Sequence, residues 1–162
     1  MEKDFSHELI KGKIAELIFE LMFRETGEFI ALRFGYEYTL PELAQYQNIV
    51  EVKEVLNNIR NSPDFILISN KKNENGRLNV FTVEVKYRRT REAEEIKRTA
   101  EDVLKIWDPS WLFIASPDGF FFAPCSSVVK DAGQISPLSD NWVGPELKAK
   151  YLELLRDFES NH

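Results

Sequence analysis

Residues 62–116 constrain this chain more than any other stretch. FILI (65–68) and FTVEVKY (81–87) are apolar runs joined by the polar, glycine-containing link NKKNENG, and together they read as a β-hairpin. A charged helix over about 91–106 follows, and then a third strand, WLFIAS (111–116). A strand–helix–strand link is a crossover, which normally makes strands 79–87 and 111–116 parallel and right-handed. The chain is thereby committed to an α/β sheet.

The flanks extend that sheet. Residues 5–24 predict a helix, with Ile10, Ile14, Leu17, Ile18 and Leu21 clustering on one side. FIALRFGYEYT predicts a strand in which Ile30, Leu32, Phe34, Tyr36 and Tyr38 share a face. Thr39 is a candidate helix cap, and part of 50–60 is read as a helix. SPDG (116–119) has the residues of a type I turn, and GFFFAPC beyond it is a final strand. After a polar loop, Pro145 opens a closing helix with Leu147, Tyr151, Leu154, Leu155 and Phe158 on one side. The expectation is an α/β fold: one mixed β-sheet flanked by helices, in a single domain over 1–162.

Composition narrows the class. With 43% hydrophobic residues in 162, the chain can bury a sizeable core. One cysteine, Cys125, excludes an internal disulfide and zinc-ligand spacing, so a reducing, cytoplasmic setting is expected and Cys125 is read as a core thiol. The mixed-charge start MEKDFSHELIKGK is no signal peptide, and no apolar run is long enough for a membrane span. A formal net charge of −6 argues against coating nucleic acid through bulk charge, but leaves room for a local basic groove.

The strands carry a contradiction. Phe81, Val83, Val85 and Tyr87 point one way, while Thr82, Glu84 and Lys86 point the other. One reading makes the second set the wet face of a half-exposed strand. Against it, FILI and WLFIA are apolar on both faces, as in strands covered on both sides, so the strand between them should be covered too. Unpaired ions beneath a helix cost several kcal/mol each. A polar cleft avoids that cost. Asp64 opens the neighbouring strand, and hairpin pairing can bring it to Glu84, where two carboxylates can share a small hard cation. Lys86 faces the same cleft and can hold an attacking water or a phosphate oxygen.

Pro63-Asp64 followed by Glu84-Val85-Lys86 resembles the signature of the PD-(D/E)xK nuclease superfamily. The element order resembles that family's αβββαβ core, of the restriction-endonuclease-like type, with an extra C-terminal strand and helix. Glu-x-Lys alone carries little weight, since it occurs four times, at 51–53, 84–86, 95–97 and 146–148. Only the 84–86 copy lies in a strand that follows a Pro-Asp-strand unit. The resemblance implies Mg²⁺ or Mn²⁺ held by Asp64, Glu84 and the carbonyl of Val85, with Lys86 orienting or activating water. In many members a glutamate on the first helix completes the site, and Glu16 stands in a Gly-x-x-x-Glu setting here. Glu16 shares its side of the helix with Gly12, Phe19 and Phe23, which fits a cleft edge; a surface pair with Lys13 is the other reading. Glu20 is read as a surface partner of Arg24.

KYRRTR places Arg88, Arg89 and Arg91 just beyond the expected cation site. They form either a phosphate track or a solvated helix start neutralised by Glu92, Glu94 and Glu95, with Arg91 spaced to pair Glu95. Tyr36, Tyr38 and Tyr46 could stack on bases or fill core. The resemblance thus implies hydrolysis of phosphodiesters in nucleic acid, DNA above all, by a protein that also forms a homodimer. Trp142 and the closing helix are candidate dimer contacts. Two alternatives stay open: a catalytically inactive member used for nucleic-acid binding or assembly, and an unrelated α/β domain in which the motif is coincidental.

Overall fold

The computed structural model describes residues 2–35, 54–55 and 61–161. Tyr36, Tyr38, Tyr46, Thr39 and nearly all of the helix expected within 50–60 lie outside the described residues. Helix α1 (Glu2–Glu25) leads into strand β1 (Phe29–Arg33). Strands β2 (Phe65–Lys72) and β3 (Leu78–Tyr87) form the hairpin, and helix α2 (Ala93–Leu104) crosses to strand β4 (Trp111–Ser116). Strand β5 (Gly119–Pro124), the short helix α3 (Cys125–Lys130) and helix α4 (Pro145–Ser160) complete the order.

The five strands lie side by side in chain order, β1-β2-β3-β4-β5. Every neighbouring pair is antiparallel except β3 and β4, which the crossover makes parallel. The sheet is mixed and carries helices on both faces, as the hairpin-and-crossover pattern requires. Among the described residues no helix is long and apolar enough to cross a membrane.

On one face α1 packs Ala15, Ile18, Phe19, Met22 and Phe23 onto Val83, Val85 and Phe113, and α4 adds Tyr151 and Leu155. The face of α1 expected in the core is largely turned outward. Leu17 and Leu21 are exposed, and so is Ile10. Helix α1 is apolar around much of its circumference, so side-chain size decides. Phe19 and Phe23, 4.6 Å apart, interlock with Phe65, Phe113 and Phe122 at centroid distances of 5.0–6.3 Å, and Ala15 permits close approach. The same happens on β1, where Ala31 enters the core and Ile30 and Leu32 stay exposed.

Among the described residues the opposite face is covered over β4 and β5, where Ile96 and Ala100 of α2 and Val128 of α3 meet Leu112, Ile114, Phe121 and Ala123. The segment expected to be a polar loop after β5 begins with α3, six residues long and without a side-chain cap. Gly133, just beyond it, has φ +89°, and a Cβ there would lie 1.9 Å from the Ala93 carbonyl oxygen, so α3's exit can press against the start of α2. Cys125 is fully buried, and burial pushes its thiol up to about 12. Trp142 packs within its own chain, with ring centroids 5.0–5.6 Å from Phe122, Phe81, Trp111 and Phe29, and stays partly exposed.

Candidate functional site

The hairpin register places Phe65 opposite Val83 and is antiparallel, so one step outward sets position 64 opposite position 84. Beyond Phe65 the β2–β3 ladder stops at Pro63, which has no N–H to give, and the Val85 N–H donates instead to the Asp64 side chain, Oδ2 accepting at 2.8 Å. The main-chain oxygen of Asp64 also accepts the N–H groups of Phe34 and Gly35, at 2.9 and 3.3 Å. Asp64 is thus pinned where β1, β2 and β3 meet.

Period-two alternation sends Glu84 and Lys86 to the face of β3 away from α1. There the Lys86 ammonium donates to Glu84 Oε1 at 2.5 Å. Both side chains are substantially withdrawn, 35% of Lys86 and 15% of Glu84 remaining accessible. Burial pushes the Glu84 carboxyl above its ordinary range, the charge of Asp64 pushes it further, and Glu16 adds a smaller push; Lys86 only partly offsets them. Burial would lower the Lys86 ammonium, but the charge and hydrogen bond of Glu84, helped by Asp64, outweigh it and raise it. At neutral pH Lys86 is therefore a cation.

These three side chains floor an open cleft of about 670 Å³. Asn61 and Ser62 line one end, and the far wall is a stripe of α2 and its exit: Thr99, Asp102, Val103 and Ile106, with Lys105 beside them. The sequence reading passed over this wall. Its signal was available, because 99, 102, 103 and 106 repeat at helical spacing and two of the four are polar.

Glu16 lies on α1, on the side of the sheet that Val85 faces. Lys13 approaches its carboxylate at 3.3 Å and Arg33 at 3.6 Å, so the surface pair with Lys13 forms while its field still reaches Glu84. Glu20 departs from expectation. It does pair with Arg24, at 2.9 Å, but it is 7% exposed and is also held by Arg33 through Nε at 2.7 Å and Nη2 at 2.5 Å. Arg33 is a residue the sequence pattern did not flag, since its partners lie on another element.

The basic run divides. Arg88 turns to α2, meeting Glu95 at 3.0 Å and Thr99 at 3.5 Å. Arg91 does not take Glu95; it reaches Asp118 at 3.8 Å and lies 3.9 Å above the Phe121 ring. Arg89 is exposed. Val85, whose carbonyl was expected to serve a cation, touches the site through its N–H.

No three His, Cys, Asp or Glu side chains gather as a ready cation cage among the described residues. Two opposed carboxylates still suit one kind of ion. Mg²⁺ takes one or two protein carboxylates and fills its remaining positions with water and substrate phosphate. The fold and cleft define an α/β protein with a mixed sheet and a charged hollow at the hairpin's end. No family model, curated protein or solved structure matches the chain.

Proposed function

We propose that the chain is a Mg²⁺- or Mn²⁺-dependent nuclease that hydrolyses phosphodiesters, most readily in DNA. One observation carries the reading: Glu84, withdrawn into the floor of a cleft and opposed to Asp64, has its carboxyl pushed above the ordinary range by burial and by Asp64, and Lys86 only partly offsets them. A divalent cation is the simplest group to relieve that excess of negative charge. The restriction-endonuclease-like resemblance of Pro63-Asp64, Glu84-Val85-Lys86 agrees with it. Asp64 and Glu84 would hold the ion; Glu16, engaged by Lys13 and Arg33 on the α1 side of the sheet, would add only its field, and Val85 the N–H that braces Asp64. Bound there, such an ion supplies Lewis acidity toward a phosphate oxygen and a more acidic water.

The protein's own part follows from the geometry. Lys86, a cation fixed against Glu84, donates charge and hydrogen bonds to the oxygens that gain charge in the transition state. Being protonated, it orients water and does not take its proton. Asp64, braced by the Val85 N–H, has little freedom to rotate, which keeps one oxygen aimed in a fixed direction.

The test is a cleavage panel of single-stranded, duplex, branched and RNA substrates with and without Mg²⁺ or Mn²⁺. Wild type should cut only with metal. Asp64→Asn and Glu84→Gln should each remove on the order of 10³-fold of the rate, and Lys86→Ala about 10²–10³-fold. Cleavage that survives these changes rejects the site. A second reading, nucleic-acid binding or assembly without catalysis, is favoured by the net charge of −6 and by the absence, among the described residues, of a third acidic side chain gathered with Asp64 and Glu84; Asp102 lines the cleft but pairs with Lys105. It wins if no divalent metal supports cleavage while nucleic acid is still bound.

A further inference from the structure

Resting on the nuclease reading, we propose that this cleft accepts a single unpaired nucleotide, so that the substrate is a single strand or a flap and not an intact duplex. The cavity, about 670 Å³, lies in the roughly 300–1,000 Å³ range of sites that enclose one small organic ligand. Its two walls differ in the way such a ligand needs. Asp64, Glu84 and Lys86 form the charged floor, where a phosphate would lie. Ile106, 38% exposed, and Val103 present apolar surface on the facing wall, beside Thr99 and an Asp102 whose charge is met by Lys105 at 2.9 Å. A base laid against Ile106 would set its own phosphate over the floor.

Charge points the same way. Gripping a duplex takes a track of unengaged cations along two phosphate backbones. Among the described residues Arg88 is bound to Glu95 at 3.0 Å, Arg91 to Asp118 at 3.8 Å and Lys105 to Asp102 at 2.9 Å, which leaves the exposed Arg89 and Arg98, too few for a track along two backbones, in a chain of net charge −6. Contact with the base itself must then carry more of the recognition. Apolar contact with a base face is sequence-tolerant and requires that the base be unstacked.

The experiment compares one 5′-labelled DNA strand alone, the same strand as a single-nucleotide flap, its blunt duplex, and the matching RNA strand, all with Mn²⁺. The single strand, as DNA or RNA, and the flap should be cut at least about tenfold faster than the duplex. Ile106→Asp, at a half-exposed position, should raise KM for the single strand about tenfold with kcat little changed and an unaltered circular dichroism spectrum. A duplex cut as fast as the single strand, or an unchanged KM in the variant, overturns the inference and leaves the nuclease reading standing. If nothing is cut with Mn²⁺ or Mg²⁺, the nuclease reading itself falls and takes this inference with it.

Discussion

Glu20 on α1 and Glu84 on β3 are both acidic groups withdrawn from water, and their surroundings could hardly differ more. Glu20 is met by two guanidinium groups, Arg33 and Arg24, at 2.5–2.9 Å. Glu84 has one ammonium, at 2.5 Å, and faces a second carboxylate across the hairpin. In the first cluster cations outnumber the anion they enclose, so α1 is fastened to β1. In the second, burial and the charge of Asp64 both push the Glu84 carboxyl up, and Lys86 only partly offsets them. One glutamate, on a helix, is enclosed by cations, while the other, on the far side of the sheet, is left with that imbalance; under the proposed function it is where an added cation would act.

The largest effect should come from breaking the satisfied cluster. Arg33→Met leaves Glu20 buried with one partner fewer, and loss of a buried ion-pair partner costs about 3–5 kcal/mol. Urea denaturation should show it as a lower midpoint with an unchanged slope. Adding Glu20→Gln to that variant should recover part of the loss, because the stranded charge is gone. Had the Glu20 cluster been a surface network, neither change would exceed about 1 kcal/mol.

Next in size is the response of the strained cluster to metal. Mg²⁺ at a hundred times its dissociation constant should stabilise wild type by about 2.7 kcal/mol, read as a rise in Tm. Glu84→Gln should lose most of that rise, whereas Arg33→Met should keep it on a lower baseline.

A smaller effect lies in pH. Glu84 titrates higher in the folded chain than in the unfolded one. Its contribution to stability is fully present below the unfolded value and is lost as pH rises through the folded value. With metal chelated, Glu84→Gln should therefore match wild type near pH 4 and exceed it in Tm by pH 7. A variant less stable than wild type at pH 7 would mean that Lys86 satisfies Glu84 after all. The smallest expected change is Lys105→Ala, which removes an exposed pair with Asp102 and should leave the urea midpoint indistinguishable from wild type.

What the sequence made legible was set locally. The hairpin, the crossover helix, β4, β5 and the closing helix all announce themselves through alternation, helical spacing and Gly or Pro punctuation, and the bounds of β3 and α4 agree closely with expectation. The opposition of Asp64 and Glu84 follows from the hairpin alone. Choices among equally apolar faces were hidden: Leu17 and Leu21 look as suitable for a core as Phe19 and Phe23 until the opposing sheet is in place. Partners distant in sequence were hidden too. Arg91 is spaced for Glu95, yet it binds Asp118 and Phe121, and Arg33 meets Glu20 only because β1 turns back along α1. Helix α3 is too short for periodicity to reveal.

The oxygen that Asp64 lends to the Val85 N–H stands where a strand's own carbonyl would otherwise be. This aspartate therefore serves the architecture whether or not any reaction occurs. A descendant that gave up chemistry would still benefit from an acceptor there, and asparagine could supply it. Persistence at position 64 says little about activity, whereas an ionisable pair at 84 and 86 has no such second employment.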